Sequence, residues 1–126
     1  IIDYGPMASG PGDTLQAVRK HRPVHPLDHP GDADLTAHVD FAALARVARE
    51  TGAAVRGPVP QAAFLSELGL EARAARLLQR ADEAQARSIR AAVARLLGPR
   101  EMGTLFKALT IVAPSLPAPP GFASAD

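Results

Sequence analysis

Residues 40–59 read DFAALARVARETGAAVRGPV, and they place a helix and a strand in series. Asp40 is a good N-cap, because its carboxylate can accept from the free N–H groups of a first helical turn. Phe41, Leu44, Ala45 and Ala48 fall on one helical face, with Arg46, Arg49 and Glu50 largely off it. Gly52 can take the left-handed conformation that ends a helix. Residues 53–59 then form a weak strand interrupted by Gly57 and Pro58. A proline there implies a sheet edge or a strand end.

Upstream, Ile1-Ile2-Asp3-Tyr4-Gly5 reads as the end of a buried strand opening into a loop. There is no initiator Met, and a buried strand needs neighbours, so the chain is expected to begin inside a fold. Residues 6–12, PMASGPG, are a loop. Residues 13–19 fit either a short helix capped by Asp13 or a short strand with Leu15 and Ala17 on one face. Residues 23–31, PVHPLDHPG, carry three prolines and are expected as a surface loop without regular structure.

Downstream, residues 61–68, 70–81 and 83–97 read as three helices. The last is the clearest: Asp82 with Gln85 resembles a capping box, Ile89, Val93, Leu96 and Leu97 form the stripe, and Gly98-Pro99 ends it. Residues 105–113, LFKALTIVA, predict a buried strand. Residues 114–126 hold four prolines and are expected to be extended or frayed. Strand, long loop, helix, strand, helical insertion, strand is an α/β order.

Composition narrows the function classes. The chain has 126 residues, one domain's worth, and its 14 Lys+Arg against 13 Asp+Glu leave a net charge of +1. That balance gives no global reason to expect nucleic acid or an anionic membrane. No apolar run approaches the roughly 20 residues of a bilayer span. Cysteine is absent, which excludes disulfides and thiolate metal sites and fits a reducing compartment, here expected to be the cytoplasm. With aromatics at 4% and no Trp, any core is built mainly from Ala, Leu and Val.

All four histidines, His21, His25, His29 and His38, lie between residues 21 and 40 beside Asp28, Asp32, Asp34 and Asp40. These are suitable ligand types for zinc or non-haem iron. Prolines interrupt the HxxxH spacings and no HExxH is present, so a polar loop outweighs a metal site and no metal ligand is assigned. His38 near Asp40 could pair a base with an orienting acid, but no nucleophile elbow accompanies them. Gly10-Pro11-Gly12 lacks the lysine of a phosphate-binding loop. Arg73, Arg76 and Arg80 share one helical face, which reads first as solvated surface.

Five segments carry a resemblance: IIDYG at the start, GDTLQAVRKHRP at 12–23, PGDADLTAHVDFAAL at 30–44, GPVPQAAFLSELGLEAR at 57–73 and PREMGTLFKAL at 99–109. Together they resemble the C-terminal half of the MidA-type methyltransferases, relatives of the mitochondrial complex I assembly-factor arginine methyltransferase. The resemblance covers about residues 1–112, and ADLTAHVDF at 33–41 is its most specific motif. It implies a class I, Rossmann-like sheet that uses S-adenosylmethionine. Ile1-Ile2 then finishes the fifth strand, residues 53–59 and 105–113 form the last two, and a helical insertion at about 61–98 separates them. Residues 1–113 would be the C-terminal part of the domain and 114–126 a Pro-rich tail. The family's glycine-rich cofactor loop lies in the other half, so no cofactor ligand is assigned here.

What the resemblance leaves to this chain is the substrate side. It implies a protein substrate, an arginine on a complex I subunit. Ligands of open α/β sheets bind at the carboxyl ends of strands, where Asp3, Tyr4 and Gly5 stand. A guanidinium needs a carboxylate to orient it, and Asp3 and Asp34 are the candidates. His38 is the candidate base, with Tyr4, Gly5 and Thr36 against the substrate. The alternative is a protein-docking module without catalysis. The first strand is expected to have a bare edge, so the isolated chain should fold poorly or associate, for instance as a homo-oligomer.

Overall fold

The computed structural model describes residues 1–122. Asp40 opens α1 (Phe41–Glu50) as its sequence predicts: the carboxylate accepts from the Ala43 N–H at 2.9 Å, and Gly52 follows the helix at φ 86°. The buried face of α1 carries Phe41, Ala45 and Ala48. It covers a three-stranded sheet of β1 (Ile2–Tyr4), β5 (Ala54–Pro60) and β6 (Phe106–Val112), in the order β1-β6-β5. Both outer strands run antiparallel to β6, and so parallel to each other. Phe41, Ala45 and Leu109 form the core cluster, with Val39 and Val55 packed on it.

The sheet-edge reading of Pro58 holds. β5 lies at the edge, and its register with β6 shifts between Arg56 and Val59. Gly57 sits in the shift at φ 84°, where a Cβ would stand 2.6 Å from the Ala108 carbonyl oxygen. That crowding and the positive φ both require glycine. Ile1 and Ile2 are 57% and 50% exposed, in keeping with the bare edge expected of the first strand. β6 is the only strand paired with β1 among the described residues, so the opposite edge of β1 is free.

Residues 13–36 are more regular than their prolines suggest. β2 (Gln16–Arg19), β3 (Arg22–Val24) and β4 (Asp34–Thr36) form a second antiparallel sheet in the order β3-β2-β4. This settles the helix-or-strand alternative for 13–19 as strand, and Asp13 accepts from the Leu15 N–H instead of capping a helix. The surface-loop expectation for 23–31 fails at Pro23 and Val24, which belong to β3. A two-residue turn links β2 to β3, with Lys20 at φ 49° and His21 at φ 61°. Two positive φ values match the twist of a tight hairpin. Pro23 is tolerated because β3 is an edge strand.

Between β5 and β6 the chain forms α2 (Gln61–Glu67), α3 (Leu70–Leu78), α4 (Glu83–Leu97) and a short α5 (Met102–Leu105). The capping box of Asp82 and Gln85 is present in both directions. The buried Gln61 amide donates to the Leu96 carbonyl at 3.0 Å and ties α2 to the end of α4. Leu105, expected at the start of the last strand, instead closes α5. The tail is also corrected, since Phe122 is 6% exposed with its ring 5.0 Å from that of Phe64. A lone aromatic after the prolines has enough apolar area to seat the tail on α2. Residues 123–126 lie outside the described residues. No helix among the described residues is long and apolar enough to cross a membrane.

The α1 cap makes one pH prediction. The Ala43 N–H, and then the Ser9 hydroxyl at 2.7 Å, hold the Asp40 carboxyl below its ordinary value of 3.8. A carboxyl lowered by folding stabilises the fold above its unfolded value and loses that contribution as pH falls through the folded one. Asp40→Asn can still cap but cannot titrate. Melting followed by circular dichroism should therefore show a shallower loss of stability below about pH 4 in the variant than in the parent.

Candidate functional site

β1 ends against the segment that leads into α1. The Val39 N–H donates to the Tyr4 carbonyl at 3.0 Å. Gly5 is buried, and a Cβ there would fall inside the contact distance of the Val39 carbonyl oxygen. Gly5 therefore permits a close backbone approach, and what approaches is this chain's own residue 39. The contact delivers His38 to Tyr4, whose rings meet edge to face at 5.5 Å and 89°. Phe106 supports Tyr4 from β6, also at 5.5 Å.

His38 is fixed from β2 as well. Its backbone N–H donates to Thr14 Oγ1 at 3.2 Å, and its Nε2 lies 3.2 Å from the Gln16 side-chain amide nitrogen. With that amide donating, Nε2 holds the lone pair and Nδ1 the hydrogen. Gly5→Ala should cost about 1–3 kcal/mol, because Val39 must retreat and take its bond to Tyr4 with it. Chemical denaturation reads the loss, and the His38 ring resonances should shift with it as Tyr4 moves away.

Gly5, Pro6 and His38 form one wall of an open cleft of about 470 Å³. The other wall is Pro99, Arg100, Glu101, Thr104 and Leu105, with Lys107 completing the lining. Lys107 is buried, and its Nζ donates to the Thr104 and Leu105 carbonyls at the corner between α5 and β6. Burial holds its ammonium below the ordinary lysine value. Glu101 stands at the N-terminus of α5, its backbone N–H bonded to the Gly98 carbonyl at 3.1 Å. Its side chain is free to face a ligand, since no bond to its carboxylate is seen among the described residues.

The residues expected from sequence divide. Tyr4, Gly5 and His38 come together. Asp3 is half-buried in β1, where its carboxylate accepts from the Tyr4 N–H at 2.8 Å and its backbone is in register with Lys107. Asp34 is exposed on β4 opposite Val18, and Thr36 is half-buried opposite Gln16. Asp3, Tyr4, Asp34 and Thr36 do not line the cleft, and Tyr4 bears on it only through its contact with His38. Asp40 serves as the α1 cap. His25 Nδ1 accepts from the Leu27 N–H at 3.2 Å, so it serves its own turn. Among the described residues no group of three or more His, Asp or Glu is placed to hold a metal ion.

Arg100, Glu101, Thr104 and Lys107 are the cleft residues that sequence reasoning missed. Their one signal was PREMGTLFKAL, which carried part of the resemblance but no spacing that identifies a site. Gly103 marks its structural demand, since a Cβ there would enter the Leu97 carbonyl.

These residues do not by themselves hold S-adenosylmethionine. Dinucleotide-type cradles present glycine N–H groups between a strand and a helix. Here the glycine that ends β1 is covered by the Val39 backbone.

Residues 1–59 match the family model described as "Putative S-adenosyl-L-methionine-dependent methyltransferase". A Drosophila melanogaster protein named protein arginine methyltransferase NDUFAF7 homolog, mitochondrial, is 39% identical over 112 residues, covering 88% of this chain and 25% of that protein. Its Caenorhabditis elegans counterpart is 38% identical, covering 86% of this chain and 25% of that protein. A solved Burkholderia thailandensis structure bound to S-adenosyl-homocysteine is 32% identical, with a TM-score of 0.80 over 99% of this chain and 34% of that one. Along most of its length the chain is similar to S-adenosylmethionine-dependent methyltransferases of the MidA type. It spans about a quarter of the length of the curated relatives it matches and about a third of the solved structures. The family match takes in Tyr4, Gly5 and His38, while Glu101 and Lys107 lie beyond it.

Proposed function

We propose that this chain forms the target-side wall of an S-adenosylmethionine-dependent protein arginine methyltransferase whose substrate is a subunit of respiratory complex I. In this reading β1, β6 and β5 are the C-terminal end of a Rossmann-like class I sheet, residues 1–113 are that part of the domain, and about 61–98 are its helical insertion. The antiparallel β6 between two parallel strands supports the assignment. So do the relatives' names, protein arginine methyltransferase.

The cleft of His38 and Glu101 carries the reading. A guanidinium is planar and presents paired donors that a carboxylate meets two at a time. Glu101 is the carboxylate of the cleft, with Asp3 and Asp34 as further acidic contacts for a longer substrate. Tyr4 holds the His38 ring edge-on. Gly5 keeps the wall narrow, and Thr36 steadies the strand that leads to it. When the target nitrogen gains a methyl group it must shed a proton, and His38 takes it at Nε2 once the Gln16 amide turns its nitrogen away from that lone pair and presents its oxygen to the new N–H. The methyl group itself belongs to S-adenosylmethionine. The cytoplasmic location fits the cysteine-free composition and is part of this proposal, although the curated relatives are named mitochondrial.

A docking module without catalysis has no specific observation in its favour. The test is transfer from methyl-labelled S-adenosylmethionine to purified complex I subunits by the full-length protein. Acid hydrolysis of the labelled subunit should yield methylarginine. Label on lysine, or no transfer with bound cofactor, overturns the reading.

A further inference from the structure

A wider groove, of about 820 Å³, lies away from the cleft on the outer face of α3. Leu68, Ala72 and Leu77 line it together with Arg73, Arg76 and Arg80. Leu68 is 49% and Leu77 47% exposed, so two large apolar side chains stand open beside three guanidinium groups. Ala74, on the opposite face, is the buried residue of the helix.

One arginine of α1 and one of α4 are each paired with an acid on their own helix. On α1, Arg46 meets Glu50 at 2.9 Å, and on α4, Arg87 meets Glu83 at 3.1 Å, each four residues apart. Along α3 and the turn after it, where Arg80 lies, no acid stands four residues from Arg73, Arg76 or Arg80. Arg76 has Arg80 at that spacing and Arg73 three residues before it. The one acid of α3, Glu71, accepts from the Ser66 hydroxyl. The face therefore concentrates positive charge in a chain of net charge +1, and it does so around exposed leucine.

We infer that this groove is a docking surface for an acidic amphipathic helix of another protein. Such a helix sets a leucine-type side chain between Leu68 and Leu77 and directs carboxylates one turn apart at Arg73, Arg76 and Arg80. An apolar face in a groove with charges at its rim is the general mode of helix-in-groove recognition. Charge complementarity selects this occupant over a second copy. A two-fold contact through this face would set each arginine stack against its own image.

The test uses the full-length protein and a fluorescein-labelled helical peptide with leucine and glutamate at four-residue spacing. Fluorescence anisotropy should show saturable binding that weakens as salt rises. Combined Arg73→Glu, Arg76→Glu and Arg80→Glu should weaken it at least tenfold with unchanged circular dichroism. Leu77→Ser alone should weaken it severalfold, which separates the apolar contribution from general charge attraction. A control peptide with lysine for glutamate should not bind. Equal binding by the charge-reversed protein, or by the lysine peptide, overturns the inference. So does binding to vesicles of phosphatidylserine and phosphatidylcholine in place of the peptide. A salt-sensitive dimer that the arginine substitutions abolish gives the face to a second copy and likewise overturns it.

Discussion

Phe41→Ala should lower folding stability by about 3–5 kcal/mol, among the larger effects open to a single truncation. Phe41 and Leu109 are the two large side chains with essentially no exposure among the described residues. Their neighbours are small: Ala45 in the cluster, with Val39 and Val55 against it. A core built around alanine has little side-chain volume with which to refill a lost ring, so the cavity persists and its cost adds to the lost transfer energy. Urea denaturation of the full-length protein, analysed at fixed slope, reads the loss. Leu44→Ala on the same helix is the control, since Leu44 is 38% exposed and should cost far less. The effect should also reach the site. Val39 packs on the cluster, donates to Tyr4 and directly follows His38, so a loosened core releases the His38–Tyr4 contact.

That dependence explains which parts of the structure the sequence exposes. α1 is legible because one cap, one apolar face and one glycine all state the same helix within thirteen residues, 40–52. α4 is legible for the same reason, and its capping box forms as read. The β2–β3 hairpin is not, because Lys20 and His21 occupy positions usually signalled by Asn or Gly, and Pro23 argues against a strand until the strand is known to lie at an edge. Phe122 is invisible for another reason: its burial depends on Phe64, far back in the chain.

The site divides along the same line. Tyr4, Gly5 and His38 were reachable because the family motifs name them, yet the contact joining them is tertiary. Glu101 and Lys107 also stand in a family segment, PREMGTLFKAL, but nothing in its spacing marks a site. They enter the cleft through a turn, a single helical turn and the register of β6, none of which leaves a periodic trace. Asp34 lies on β4, and the cleft lining does not include it.

Glu101→Gln should therefore reduce methyl transfer about 30-fold, the lower end of what losing one partner of a charge pair costs, because the cleft is open to solvent. The substitution keeps the side chain's size and its capacity to accept a hydrogen bond while removing the charge that orients a guanidinium. Stability should not change, since the side chain makes no bond within the described residues and Gln preserves its packing against Gly98. The pattern of constants identifies the role. If Glu101 only binds the target arginine, KM rises and kcat holds; if it also aligns the nitrogen for transfer, kcat falls with kcat/KM. Asp34→Asn is the parallel measurement. Its exposed carboxylate lies outside the cleft, so it should change transfer no more than about twofold on a short arginine peptide and more on a whole subunit that reaches β4. A Glu101→Gln protein with full activity on the short peptide would remove Glu101 from the site. A large loss in Asp34→Asn on that same peptide would return the orienting role to the second sheet.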